Sequence, residues 1–340
     1  MKSVLNILKV FYYQKLTKEA KLMYALTGLM FVLGLGMMII NDLTYHYGSI
    51  LYFTSPWQRI IAPLLLLSGL VVYFQDIVSE RLSLVIFTFT MYCLSLAAGL
   101  MLTQGIETTP FPTIDPWLLH ADQVLGFNQT ALMNFVYTHA WLKQIFIYGY
   151  NSLIPELTVL PLAMALMLRN RSVKVFLFAM LFSYPLGTLI FYFFPTTAPA
   201  SVIHNIHFTF QEHDTFIKFY QMHHHMKITT TDGGLIAFPS FHVIWGVLLI
   251  YLARDKKWLL YPLLLWNSVL IGSTMALGWH YLIDVIAGIT IAGSCLYLGE
   301  RVYAWCNNLS IKKKALALRL TPSRWAPSIA HTSNAKPQRH

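Results

Sequence analysis

Charge is what this sequence has least of. Only 11% of its 340 residues are Asp, Glu, Lys or Arg, against about 25% in an average soluble domain, while 56% are hydrophobic. That shortage excludes an ordinary soluble surface. Cysteine is also scarce: Cys93, Cys295 and Cys306 lie inside or just beyond apolar runs, with no paired spacing and no CxxC, which argues against a disulfide framework or a zinc ribbon. Acidic residues are few enough to leave a formal net charge of +10. The excess does not describe a nucleic-acid surface, because the basic residues stand in short clusters beside apolar spans. No internal repeat is visible.

What fills the chain instead is a series of apolar runs of about 20 residues, the length a helix needs to cross a bilayer. Eight candidate spans lie at about 22–41, 58–75, 82–103, 144–167, 174–194, 236–253, 258–277 and 282–301. The expected fold class is an all-α membrane protein of about eight transmembrane helices. The first span is too long, and too weakly followed by small residues, for a removable signal peptide, and is expected to remain as an anchor.

Of the 24 Lys and Arg residues, an eight-span topology leaves only Arg59, Lys143, Lys218 and Lys227 on one side. The positive-inside rule then places both termini in the cytoplasm. The long connections 104–143 and 195–235 face outward. Beyond residue 301, Lys313, Lys314, Arg319, Pro322, Ser323 and Pro327 stand in a stretch with little apolar periodicity. It reads as a basic, disordered cytoplasmic tail suited to anionic lipid.

Two stretches carry chemistry. At the sixth span the chain reads Gly233, Gly234, Leu235, Ile236, Ala237, Phe238, Pro239, Ser240, Phe241, His242. Pro239 suits the first turn of a helix. The free amides of that turn, with the Ser240 hydroxyl, can bind an anion beside His242. A plain helix start with an interfacial histidine is the alternative. Before the eighth span stand Gly278, Trp279, His280, Tyr281, Leu282, Ile283 and Asp284. On a helix, His280 and Asp284 share a face. A carboxylate on one imidazole nitrogen fixes the tautomer and leaves the other as a nucleophile. A buried hydrogen bond without chemistry is the alternative, although ionisable groups at membrane depth are costly. The topology brings the end of the fifth span, the start of the sixth and the link before the eighth to one outer mouth.

Pro239-Ser240-Phe241-His242 followed by His280-x-x-x-Asp284, with Gly288 beyond, resembles the type 2 phosphatidic acid phosphatase superfamily. Within it the chain looks most like the branch containing the inositol phosphorylceramide synthases. Phe194, Pro195, Thr196, Thr197, Ala198 and Pro199 match that branch's proline segment, and Asp115, Pro116, Trp117 and Asp122 resemble its outer loop. The resemblance covers roughly residues 110–300. It implies a six-helix catalytic bundle in a region 104–301, preceded by segment 1–103 with three spans and followed by the tail 302–340. It further implies that His280 attacks phosphorus to form a phosphohistidine, that Asp284 orients it, and that His242 protonates the leaving oxygen. No metal or soluble cofactor is then required. The implied function is a lipid phosphotransferase passing its group to a hydroxyl acceptor or water, with membrane lipids as partners and no nucleic acid. A lipid phosphatase acting on phosphatidic acid or an isoprenyl pyrophosphate is the alternative within enzymology. A transporter using Glu156, His242, His280 and Asp284 as a proton relay is the alternative outside it, and a silent lipid-binding relative is a third.

The pattern departs in two places. The segment ending at Pro199 is not basic, and Thr274 stands where the superfamily usually has Arg, although Ser273 keeps its place. A phosphoryl group in flight needs positive charge or donors around its oxygens. Lys218, Lys227, the run His223-His224-His225 and the amides near Ser240 are the candidate replacements, and Phe241 and Thr196 are further substrate-contact candidates. A zinc reading of the three adjacent histidines fails on spacing, with only Asp232 near. Glu156, between Pro155 and Pro161, is read either as a substrate contact or as a partner of Tyr148 or Asn151 inside the bundle. Asn128-Gln129-Thr130 is a sequon that matters only in a eukaryotic lumen. Trp57, Trp141 and Trp258 read as interfacial anchors. Short loops and the lack of a cysteine framework lean toward a bacterial inner membrane, and oligomeric state stays open.

Overall fold

The computed structural model describes residues 16–47, 63, 79–230, 234 and 236–320. Among them there is no strand. The principal helices are α1 Lys18–Ile40, α2 Glu80–Ile106, α3 Asp115–Val124, α4 Gln129–Thr138, α5 Ala140–Asn151 and α6 Leu153–Leu166. They continue with α7 Asn170–Phe193, α8 Phe210–His223, α9 Phe241–Leu252, α10 Lys257–Ala276 and α11 Leu282–Leu320. Five helical stretches are long and apolar enough to cross a membrane: Lys18–Tyr45, Glu80–Ile106, Asn170–Phe193, Lys257–Ala276 and Leu282–Asn308. Shorter apolar helices α6 and α9 stand among them, and the chain is an all-α, multi-pass membrane protein. The span expected at 58–75, with Arg59 and Trp57, lies outside the described residues.

Two expected spans change form. The run 144–167 is broken into α5 and α6 at Ser152, because Pro155 has no N–H to return to the carbonyl of Asn151. The run 236–253 is helical only over Phe241–Leu252. Residues 236–240 are non-helical, and Pro239 lies outside the helix, one residue ahead of the Ser240 N-cap. Twelve residues rise about 18 Å, too short to cross a hydrocarbon core of about 30 Å alone. The last helix runs past its expected end to Leu320, while residues 321–340 lie outside the described residues.

Helices α1, α2, α6, α7, α9 and α11 share one buried cluster, including Met91, Leu157, Phe176, Phe178, Leu248 and Cys295. Lipid tails are as apolar as these side chains, so close packing and interhelical hydrogen bonds hold the helices together. At one end, Glu300 of α11 accepts from Arg171 at 2.9 Å and from Arg254 at 3.3 Å, and also from the Tyr251 hydroxyl. That cluster ties α7, α9 and α11 in register. Toward the same end, the Ser172 hydroxyl donates to Asp255 at 2.8 Å.

The opposite end holds the motif residues. Gly288 of α11 lies against α9, where a Cβ would stand 2.9 Å from Val243 Cβ and 3.0 Å from the Ser240 carbonyl oxygen. Only a glycine lets the two motif-bearing helices approach this closely. At the end of α10, Gly278 takes φ +86, the Trp279 N–H donates to the Thr274 carbonyl at 3.0 Å, and the Gly278 N–H donates to Met275 at 3.0 Å. That pair of bonds is a Schellman stop, and it turns the chain so that His280 is presented directly after it.

Candidate active site

His280 lies in the link between α10 and α11, before the helix begins at Leu282, and not on the helix as its spacing suggested. Its Nδ1 is 2.8 Å from the Ala237 carbonyl oxygen and 3.3 Å from Asp284 Oδ2. The closer partner is therefore the main chain ahead of the Pro239 motif, with the carboxylate second. Either acceptor holds the proton on Nδ1 and leaves Nε2 for the cavity that His280 lines. Burial lowers the pKa of the His280 ring to about 4, against which the Ala237 hydrogen bond acts. The ring is thus neutral at neutral pH, the form a nucleophile requires.

Asp284 is fully buried in the first turn of α11. Its Oδ2 also accepts the Tyr281 N–H at 3.0 Å, while Oδ1 has no protein partner. The Ser240 N–H reaches the Asp284 backbone carbonyl at 3.4 Å, joining the two motifs directly. Ser240 itself is fully buried, and its hydroxyl accepts the Val243 N–H at 3.4 Å as the N-cap of α9. His242, on the first turn of that helix, stacks on Tyr150 at 4.3 Å between ring centroids. Trp279 stacks on the same tyrosine at 5.6 Å. The His242 and His280 rings stand 6.1 Å apart. Both rings line the same cavity, so one bound group can face both.

Two aspartates of the connection between α2 and α4 brace this arrangement from behind. Asp115 is 1% exposed and accepts the Thr197 N–H at 2.9 Å, the Thr197 hydroxyl at 3.1 Å and the Tyr281 hydroxyl at 3.0 Å. Burial lifts its carboxyl to about 6, with those donors pulling it back. Asp122 accepts the Leu282 and Ile283 N–H groups at 2.9 and 3.0 Å. It is an N-cap for α11 supplied from another helix. Thr196 accepts the Phe238 N–H at 2.9 Å and so fixes the approach to Pro239. The proline segment, helix α3 and both histidine motifs are thus one hydrogen-bonded unit.

His242 and His280 face a cavity of about 560 Å³. Phe241 also lines it, whereas Pro239, Ser240, Ser273, Thr196, Lys218 and Lys227 do not. Ser273 is buried in α10 and donates to the Leu270 carbonyl at 2.6 Å. Thr274 contributes through its backbone oxygen, which accepts from both Trp279 and His280 at 3.0 Å. Lys218 is 1% exposed, 3.8 Å from Glu107, and donates to the Gly234 carbonyl at 3.3 Å. Burial raises the Glu107 carboxyl to about 7, with Lys218 opposing the shift. Lys227 is exposed. No Lys or Arg is among the described residues lining the cavity.

The three adjacent histidines at the end of α8 bond to backbone. His223 has Nδ1 2.7 Å from the Phe219 oxygen and Nε2 2.7 Å from the Thr109 oxygen. His224 and His225 face the carbonyls of Tyr220 and His46. Among the described residues, no three His, Cys, Asp or Glu groups are placed to hold a metal ion. Glu156 pairs with neither Tyr148 nor Asn151; it accepts from Ser152 at 2.6 Å and from Asn267 at 2.8 Å. Sequence reasoning missed Tyr150, Trp279 and the Ala237 carbonyl. Only Trp279 carried a signal, its place beside His280.

No curated protein and no solved structure matches the chain. A family model described as the PAP2 superfamily matches residues 116–298, more than half of the chain and both histidine motifs. The chain therefore belongs to the PAP2 superfamily and is an enzyme of that phosphatase and phosphotransferase family.

Proposed function

We propose that this enzyme transfers a phosphorus-containing group between membrane lipids by way of a phosphohistidine on His280. The observation that carries the reading is the pair of rings 6.1 Å apart, one of them neutral and hydrogen-bonded through Nδ1, facing a common cavity. His280 Nε2 attacks phosphorus while the bond to the leaving oxygen breaks, and His242 gives that oxygen its proton. The arriving phosphate supplies the negative charge that favours a proton on His242. The Ala237 carbonyl and Asp284 stabilise the positive ring formed on attack. An acceptor hydroxyl then loses its proton to His242, attacks phosphorus and releases His280.

The choice between transfer and hydrolysis rests on charge. A phosphodiester carries one negative charge, whereas a phosphomonoester carries up to two near neutral pH. Among the described residues the lining has no Lys or Arg to offset either, and the buried Asp284, Asp115 and Asp122 stand behind it. Coulomb repulsion in a poorly screened site penalises the dianion more. A diester donor is therefore favoured, as in inositolphosphotransferase-like chemistry, over phosphatidic acid. The distribution of Lys and Arg supports cytoplasmic termini and an extracytoplasmic site, and the short loops and lack of a cysteine framework favour a bacterial inner membrane.

The test is to incubate purified wild-type and His280→Ala protein with labelled phospholipids and hydroxyl acceptors, then resolve lipid products and free phosphate. Wild-type is expected to form a transferred lipid and the variant none. Free phosphate as the sole product indicates a phosphatase, and product independent of His280 overturns the reading.

A further inference from the structure

The cavity at the histidines does not stop at the chemistry. From His242 and His280 it passes Trp245 and Tyr184 and follows α2 from Thr103 down to Phe89. The fourteen helical rises from Phe89 to Thr103 measure about 21 Å at about 1.5 Å each. The depth exceeds one leaflet's share, about 15 Å, of a hydrocarbon core of about 30 Å. The histidine end of the lining carries His242, His280 and Tyr150, while along α2 it includes Phe89, Cys93, Leu96 and Leu100, with Tyr92 among them.

The cavity also has a side. Phe89 of α2 and Ile154 of α6 both line it and are 36% and 57% exposed. Between them the Tyr92 hydroxyl meets the Thr158 hydroxyl at 3.3 Å, a single polar link across the α2–α6 seam. On other faces of the middle of α2, Met91, Leu94, Ala97 and Ala98 are at most 2% exposed. The gap is thus local to the face turned toward the histidines. Helix α2 lies wholly outside residues 116–298 matched by the family.

We propose that this cavity is a binding site for one long hydrocarbon chain of the substrate lipid, entered from the bilayer between α2 and α6, and that α2 sets the chain length accepted. The proposal rests on the phosphotransfer reading for the position of the phosphorus. An apolar chain along α2 places its attached phosphate at the end of the cavity that carries His242 and His280. A lipid entering through the side keeps its tail out of water throughout. Leu96 and Cys93 sit midway along the wall, so bulk added there shortens the usable depth.

Two measurements test it. The first uses unaltered full-length protein and the cysteine already in the wall, following modification of Cys93 by N-ethylmaleimide with peptide-resolved mass spectrometry. Hexadecylphosphocholine is expected to slow the labelling of Cys93 by about fivefold or more, while butylphosphocholine leaves it unchanged; filling an apolar pocket with several extra methylenes is worth at least that factor. The second compares p-nitrophenol release from hexadecyl and butyl p-nitrophenyl phosphate diesters. In Leu96→Trp the ratio of long-chain to short-chain kcat/KM is expected to fall by about fivefold or more. A smaller fall in that ratio, or equal protection of Cys93 by the two phosphocholines, overturns the proposal. His280→Ala separates the two readings: p-nitrophenol release that survives it overturns the catalytic assignment, while Cys93 protection reports on the chain pocket regardless of turnover.

Discussion

At the residue scale, the two histidines divide the labour by their surroundings. His280 is packed between the Ala237 carbonyl and Asp284, and burial holds it neutral down to about pH 4. The sign follows directly. A ring whose pKa in the folded protein lies below the ordinary value of about 6.5 stays unprotonated as pH falls through 6.5 and loses its nucleophilic form only near 4. The acid limb of kcat/KM is therefore expected near pH 4, measured over pH 3.5–8 as ~ the working range. A limb near 6.5 would mean that the ring is solvated in the working enzyme. Folding stability moves the same way, since the unfolded ring takes up its proton first and the contribution of His280 declines as pH falls from about 6.5 to about 4. Removing His242 deletes the acid but leaves the nucleophile, so His242→Ala is expected to lower kcat by about 10²–10⁴-fold. A donor with a good leaving group, such as a p-nitrophenyl diester, is expected to recover most of that loss, because its leaving oxygen needs no proton. Equal losses on both donors would place His242 outside proton transfer.

At the scale of elements, α11 depends on α3 for its start. Asp122 takes the Leu282 and Ile283 amides, which a helix cannot satisfy internally. Asp122→Ala is expected to destabilise the protein by about 0.5–2 kcal/mol, the usual worth of a cap, read as a lowered Tm. Asp122→Asn keeps an acceptor and is expected to restore most of it. Gly288→Val places side-chain atoms into Val243 and the Ser240 carbonyl, so overpacking is expected to cost about 1–3 kcal/mol and to lower activity by prising the motifs apart. This is also where the sequence was legible and where it was not. Apolar periodicity located α2, α7 and α10 within a few residues, because a bilayer demands uninterrupted apolar length. It could not show that the sixth run is helical only from Phe241, since residues 236–240 are as apolar as the helix they precede. The family motif brought His242, His280 and Asp284 to attention by residue type and spacing. Ala237 was invisible because it acts through a carbonyl, which every residue possesses. Tyr150 was invisible because aromatic residues are 15% of this chain. Lys218 showed its charge in the sequence but not its partner, Glu107, more than a hundred residues away.

At the scale of the whole molecule, the distribution of Lys and Arg predicts which ends of the bundle face the cytoplasm. Lys227→Cys is expected to react with a membrane-impermeant maleimide added outside intact cells, and Lys256→Cys only after permeabilisation. The reverse pattern would invert the topology and put the histidine mouth in the cytoplasm. The cap from Asp122 has a further consequence, one of timing. Its two bonds span 160 and 161 residues of chain, and Asp115 reaches Tyr281 over 166. A chain is made from its N-terminus, so α3 has left the ribosome long before α11 exists. The aspartates wait, and His280 receives its bracing only when α11 is inserted. An interrupted chain therefore carries no partly working site; the enzyme becomes competent in a single late step of its own synthesis.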